Sequence, residues 1–195
     1  VPCPAVGMSA PVGMIGYMGN TDLVRRVAAK ARATEERLPE CASEAEIAVA
    51  EAELGFALPP LLARLYREVA NGGFGPGQRL LPVSGPGPTV VTAYWEEREP
   101  DPGGGWYWPR GVTPVLDWGC GMYAAVDCLD ERAPVLLYEP NPYGGGRPEA
   151  WFHDAPSLAA WLEKWLTGRW WWDEEPGSDA AALVPWPNAA GRLAG

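Results

Sequence analysis

Between Val112 and Tyr138 the chain passes through three short runs in quick succession, Val112–Asp117, Met122–Asp127 and Pro134–Tyr138. Each is rich in β-branched or aromatic residues and is bounded by Gly, Asp-Glu or Pro turns. That pattern predicts an antiparallel meander, and whatever else the chain forms must pack against it. A fourth strand, weaker in pattern, is expected near Ala150–His153. Arg79–Val83 also reads as a strand, held to an edge or terminus because Pro82 has no N–H for a ladder.

Helical signals surround these runs. Asn20 or Thr21 can cap a first helix that continues to Arg37, with Leu23, Val27 and Ala31 recurring at fours. Ser43-Glu44-Ala45-Glu46 is a capping-box pattern; the helix it opens puts Ile47, Ala50 and Leu54 on one face, and Gly55 suits its end. Leu58-Pro59-Pro60 leads into another helix, in which Leu61, Leu62, Leu65, Tyr66 and Val69 are buried while Arg64, Arg67 and Glu68 face water. Asn71-Gly72-Gly73 stops it. Thr89–Arg98 mixes helical spacing with strand-like composition, and helix is the preferred reading. Ser157 caps a last helix, with Leu158, Trp161, Leu162 and Trp165 along one side and Gly168 at its end.

The length of 195 residues suits one domain with extensions. The expected plan is an irregular arm over residues 1–19, an α+β domain over 20–168, and a Trp-rich tail over 169–195 whose tryptophans fold back. With 24 glycines and 22 prolines, long stretches must be loop. Formal charge is −10, yet the first helix carries a net +2 from Arg25, Arg26, Lys30, Arg32 and Arg37 against Asp22, Glu35 and Glu36. The acidic charge therefore belongs to the globular part. It argues against nucleic acid or an anionic membrane as partner and suits a basic one. No apolar run approaches a membrane span, and no secretory signal is evident. Cys3, Cys41, Cys120 and Cys128 accordingly read as reduced thiols of a cytoplasmic protein.

The order of features resembles the SUKH superfamily, which groups fungal cell-wall-assembly regulators with many bacterial immunity proteins. The resemblance runs from about Ser43 to Thr167 and rests on four pieces in order. They are Glu53-Leu54-Gly55-Phe56 with Leu58-Pro59-Pro60, then Leu65-Tyr66 with Asn71-Gly72-Gly73-Phe74 and Leu80-Leu81-Pro82-Val83. Trp108-Pro109 follows, leading into Pro114-Val115-Leu116-Asp117-Trp118-Gly119-Cys120-Gly121 with Tyr123 and Asp127 beyond, and a helix from Ser157 to Leu166 closes the series. The resemblance implies an α+β fold, a twisted and mostly antiparallel sheet flanked by helices, and binding rather than catalysis. The basic first helix, the arm and the tail have no counterpart to carry over.

Enzymatic readings fare poorly. His153 is the only histidine, and a Cys/His hydrolase would need it beside Cys120 or Cys128 with a carboxylate to orient it. The bland reading is an edge-strand histidine and two packed thiols. No Cys-x-x-Cys occurs, so no metal is expected. Gly85–Gly87, Gly103–Gly105 and Gly144–Gly146 lack the Lys-Ser/Thr of a phosphate loop and read as turns, so no cofactor is implied. Glu96/Glu97, Asp117/Asp127 and Glu139 could be paired for glycoside chemistry, but such acids are ordinarily solvated. Eleven tryptophans carry more information. Trp106, Tyr107, Trp108, Trp118, Tyr138 and Tyr143 sit among Gly and Pro, where aromatics either anchor interfaces or pack across a sheet. A stacked carbohydrate platform is a rival reading, though neutral sugars would not require the acidity.

The reading that follows is a non-catalytic immunity protein that occludes a cognate toxin, such as a nuclease with a basic cleft. The expected contact residues are Asp117, Trp118, Tyr123, Asp127, Asp130, Glu131, Tyr138 and Glu139. A regulatory or scaffold domain without a toxin partner is the alternative.

Overall fold

The computed structural model describes residues 14–77, 79–99, 108–143, 148–168 and 183–193, with side chains from residue 20 onward and that of Tyr143 excepted. Helices α1 (Met14–Thr34), α2 (Glu44–Leu54), α3 (Pro60–Glu68) and α4 (Val90–Glu97) precede the strands β1 (Val112–Gly119), β2 (Met122–Asp127), β3 (Val135–Tyr138) and β4 (Trp151–Ala155). Then come α5 (Leu158–Thr167), β5 (Val184–Pro185) and α6 (Ala189–Leu193), with single helical turns at Asn141–Tyr143 and Pro148–Ala150. The five strands lie in chain order and every neighbouring pair is antiparallel. This is the expected α+β arrangement.

Local chemistry accounts for most boundaries. The Ser43 hydroxyl accepts the Glu46 N–H, the Glu46 carboxylate takes the Ser43 N–H at 2.8 Å, and Gly55 closes α2 with φ 80°. Thr89 and Thr92 make the same reciprocal pair at the start of α4, which settles the ambiguous segment as helix. Ser157 caps α5 and Gly168 ends it.

Three expectations need correction here. α1 begins at Met14 and not at Asn20, so the arm is helical over its last residues; Asn20 sits inside a helix because the weak local preference for capping yields to continuation. Arg79–Val83 forms no strand. Its backbone groups go elsewhere: Leu80 N–H to Phe74 O, Leu81 N–H to Val115 O and Val83 N–H to Asn71 Oδ1, all between 2.8 and 2.9 Å. The Tyr66 hydroxyl takes the Leu81 carbonyl. The folded-back path passes so close to Gly72 that a Cβ there would lie 2.7 Å from Leu80 O, which is why that position has no side chain. Arg64 does not face water either; its side chain is 13% exposed and pairs with Glu68 at 2.7 Å.

The cysteines also depart from expectation. Cys120 and Cys128 are free, but Cys41 is disulfide-bonded, with its partner outside the described residues. Sequence spacing says nothing about which thiols approach in the fold.

The sheet's core is aromatic. Tyr123, Tyr138 and Trp151 stand directly opposite one another on β2, β3 and β4, so they form a row on one face. Trp108, fully buried, packs edge-on against all three at 4.7–5.4 Å between ring centroids, and Trp186 extends the row beyond Trp151. Packing across the sheet is therefore what Trp108 and Tyr138 do. Trp186 folds back as expected, pulling β5 onto the edge of β4. Trp106, Tyr107, Trp170, Trp171 and Trp172 lie outside the described residues.

The basic first helix is spent internally. α1 packs on α3 and α5, Arg26 binds the Glu163 carboxylate with both terminal nitrogens, and Lys30 reaches the carbonyls that end α5 while lying 5.2 Å from the Trp165 ring centroid.

Candidate protein-binding surface

The sheet splits the expected contact residues between its two ends. β1 and β2 join at Gly119-Cys120-Gly121, three successive residues with positive φ of 84°, 53° and 77°. Asp117 Oδ1 braces this turn by accepting the Gly119 N–H at 2.7 Å. The register shifts between Asp117 and Gly119, so Trp118 is the extra residue of a bulge that re-aims its side chain. Asp117 is opposite Tyr123, and Tyr123 is opposite Tyr138. This hairpin end thus gathers Asp117, Trp118, Tyr123, Tyr138 and Glu139. Asp127, with Asp130 and Glu131 in the turn after it, lies roughly 13 Å along β2 at the far end.

At the hairpin end Asp117 is exposed, while Trp118 and Tyr123 are half-buried and pack against the core. α4 delivers two further acids to the same place. The Glu97 carboxylate is half-buried and lies within electrostatic reach of the Tyr123 phenol. Burial pushes the Glu97 carboxyl above its ordinary range, the nearby Tyr123 phenol opposes this, and the charges of Glu96 and Asp117 add to the rise. Burial likewise raises the Tyr123 phenol, helped by Glu97 and Asp117. No arginine or lysine among the described residues pairs with Glu96, Glu97 or Asp117. The last turn of α4 holds no basic residue, so its carbonyl dipoles deepen the negative potential.

The remaining members are placed differently. Tyr138 is 5% exposed inside the aromatic row and so is no surface anchor, a correction whose cause is that Trp108 and Trp151 cover its ring on a strand buried along its whole length. Glu139 is half-buried and accepts both the N–H and the Nδ2–H of Asn141, at 2.9 and 2.7 Å. At the far end Asp127 is 2% exposed and pairs with Arg192 at 2.5 Å while accepting the Leu129 N–H, so it too is removed from the surface. Asp130 is paired with Arg132 at 2.9 Å. Glu131 is exposed.

The hydrolase constellation does not assemble. Asp154 bonds Trp161 and Lys164 at 2.7 and 3.1 Å, and the charges acting on His153 are those of Arg132 and Asp130. Burial pushes the Cys128 thiol up to about 12, the opposite of an activated nucleophile. Among the described residues, no group of three or more His, Cys, Asp or Glu could hold a metal ion.

A family sequence model described as SMI1 / KNR4 family (SUKH-1) matches residues 41–164, from just before α2 to the last turns of α5. The chain belongs to the SMI1 / KNR4 family. No curated protein matches it. Both ends of the sheet lie inside the SMI1 / KNR4 span, whereas α1, β5 and α6 lie outside it and are built onto it. No helix among the described residues is long and apolar enough to cross a membrane.

Reasoning from sequence weighed Glu96 and Glu97 only as a glycoside pair and set them aside as solvated. Arg98 follows them directly in the sequence and masked them as a paired run; only the fold shows that its guanidinium is buried and donates to the Trp108 carbonyl.

Proposed function

We propose that this SMI1 / KNR4 chain is an immunity-type protein that binds a cognate toxin and blocks it, without catalysis, by laying acidic surface over a basic cleft. The observation that carries this is the cluster of Glu96, Glu97 and Asp117 near Tyr123 and Trp118, where no cation among the described residues pairs with any of the three carboxylates. Such a cluster costs the free protein something that a basic partner relieves, and the overall −10 steers that partner in. Half-buried aromatics beside the acids supply contact area at low entropy cost. Asp117, Trp118, Tyr123 and Glu139 keep the roles expected of them; Glu131 stands at the opposite end and is peripheral.

Co-purification from the native host, at low and at high salt, tests this. The expected outcome is retention of a toxin domain that elutes as salt rises and whose activity the chain suppresses. Retention of host proteins that salt does not release, with no toxin among them, would replace this reading with a scaffold.

A further inference from the structure

α2 carries Glu44, Glu46, Glu51 and Glu53 and no basic residue. Its inward face is buried through Ile47, Ala50 and Leu54, but its outward face is apolar as well: Ala45, Ala48, Val49 and Ala52 are all exposed, Val49 by 57%. At the C-terminal end of this face stands Trp95 of α4, 49% exposed, its indole N–H donated to the Glu53 carbonyl at 3.2 Å. The ring also meets Tyr94 edge-on at 5.2 Å, and about half of the tryptophan remains open to a partner. Glu53 and Glu96, both exposed, flank it, and neither pairs with a cation among the described residues. Several acids elsewhere do find arginines: Asp22 with Arg25 and Arg26, Glu163 with Arg26, Glu68 with Arg64, Glu35 with Arg79.

We propose that Trp95 and the outer face of α2 form a docking surface for an amphipathic helix of a basic protein partner, with a lysine or arginine of that helix stacked on the Trp95 ring between Glu53 and Glu96. The ring attracts a cation electrostatically, and the carbonyl end of α2 with its glutamates adds negative potential at the same point. The small side chains of α2 let a second helix approach to about 8 Å, close enough for its apolar residues to cover Val49. A second copy of this chain is the wrong occupant, since each would bring the same uncompensated glutamates to the contact. The proposal rests on the reading that the chain works by binding a basic protein, but it sets the contact on helices and not on the hairpin.

The probe is a labelled amphipathic Lys/Leu helix of ~15 residues, long enough to span α2, titrated with the full chain by fluorescence anisotropy at low salt. Its counterpart with Glu in place of Lys is the control. The lysine peptide binds and the glutamate peptide does not. Trp95→Ala weakens binding roughly tenfold, as loss of an aromatic anchor does. Ala48→Arg, an exposed and helix-compatible change, weakens it similarly, whereas Glu131→Lys, an exposed acid in the β2–β3 turn at the far end of the sheet, changes it less than about twofold. Lack of binding by the lysine peptide, or binding that Trp95→Ala and Ala48→Arg leave unchanged, overturns the proposal. The two readings fail separately. A toxin retained from the host alongside indifferent variants removes this surface alone, and peptide binding at Trp95 with no toxin retained removes the toxin alone.

Discussion

The two ends of the sheet carry similar numbers of acids and use them in opposite ways. At the far end Asp127 is buried against Arg192, and Asp130 is chelated by Arg132. Their charge is consumed in holding the C-terminal segment and the β2–β3 turn. At the hairpin end Asp117, Glu96 and Glu97 pair with no cation among the described residues; Asp117 accepts the Gly119 N–H, and Glu97 feels the charges of its two neighbours and the Tyr123 phenol. The difference teaches that acidity on a surface becomes a binding resource only where the fold supplies no internal cation. An acid that already has an arginine offers a partner little.

The largest effect that could break this comparison is at Arg192. Arg192→Ala leaves the Asp127 carboxylate buried without its cation, which is expected to cost about 3 kcal/mol and lower Tm by several degrees in calorimetry. An unchanged Tm would mean the far-end charge is not structural after all. Next in size, charge reversal of Asp117 and Glu96 together should slow association with a co-purified basic partner roughly tenfold and flatten its salt dependence, with Tm lowered only by the loss of the Asp117 bond to the Gly119 N–H, a smaller drop than that of Arg192→Ala. Loss of stability with no change in association rate would invert the assignment of the two ends.

A smaller effect sharpens the contrast through pH. Glu97 binds its proton more tightly folded than unfolded, so its ionised form opposes folding. That cost is absent below the ordinary carboxylate range and grows as pH rises through the raised value. Glu97→Gln is therefore expected to stabilise the protein slightly at neutral pH and to make no difference in acid, measured by urea denaturation at both. A stabilisation confined to acid would contradict the sign. Smallest of all is Asp130→Asn: its partner Arg132 is exposed, and the change should move Tm by no more than about a degree.

Much of the architecture could be read locally. Ser43 with Glu46, Gly55, Ser157 and Gly168 each solve a hydrogen-bonding or backbone problem within a few residues, so each marks a helix boundary from sequence alone. The strands were legible because β-branched and aromatic runs and the turn residues that bound them act over the same short range. Arg79–Val83 misled because its strand-like composition is satisfied by contacts to Asn71, Phe74 and Val115 that no local pattern encodes. For the proposed binding surface, the glycines of the β1–β2 turn already set Asp117 and Tyr123 at a hairpin end. Asp127 and Tyr138 were misplaced, since an arginine 65 residues away and a tryptophan from another strand decide their burial. Glu97 gained its meaning only from Tyr123, which α4 approaches across a long stretch of chain.

By itself the sequence determined helices α2 to α5, strands β1 to β4, the antiparallel order of the meander, and an excess of negative charge concentrated after the first helix. Those follow from periodicity, capping and composition, all of them short-range or additive. The tertiary structure alone decided which acids are left over. Pairing depends on distances between residues far apart in the chain, and a carboxylate's worth to a partner is set by the cation it lacks.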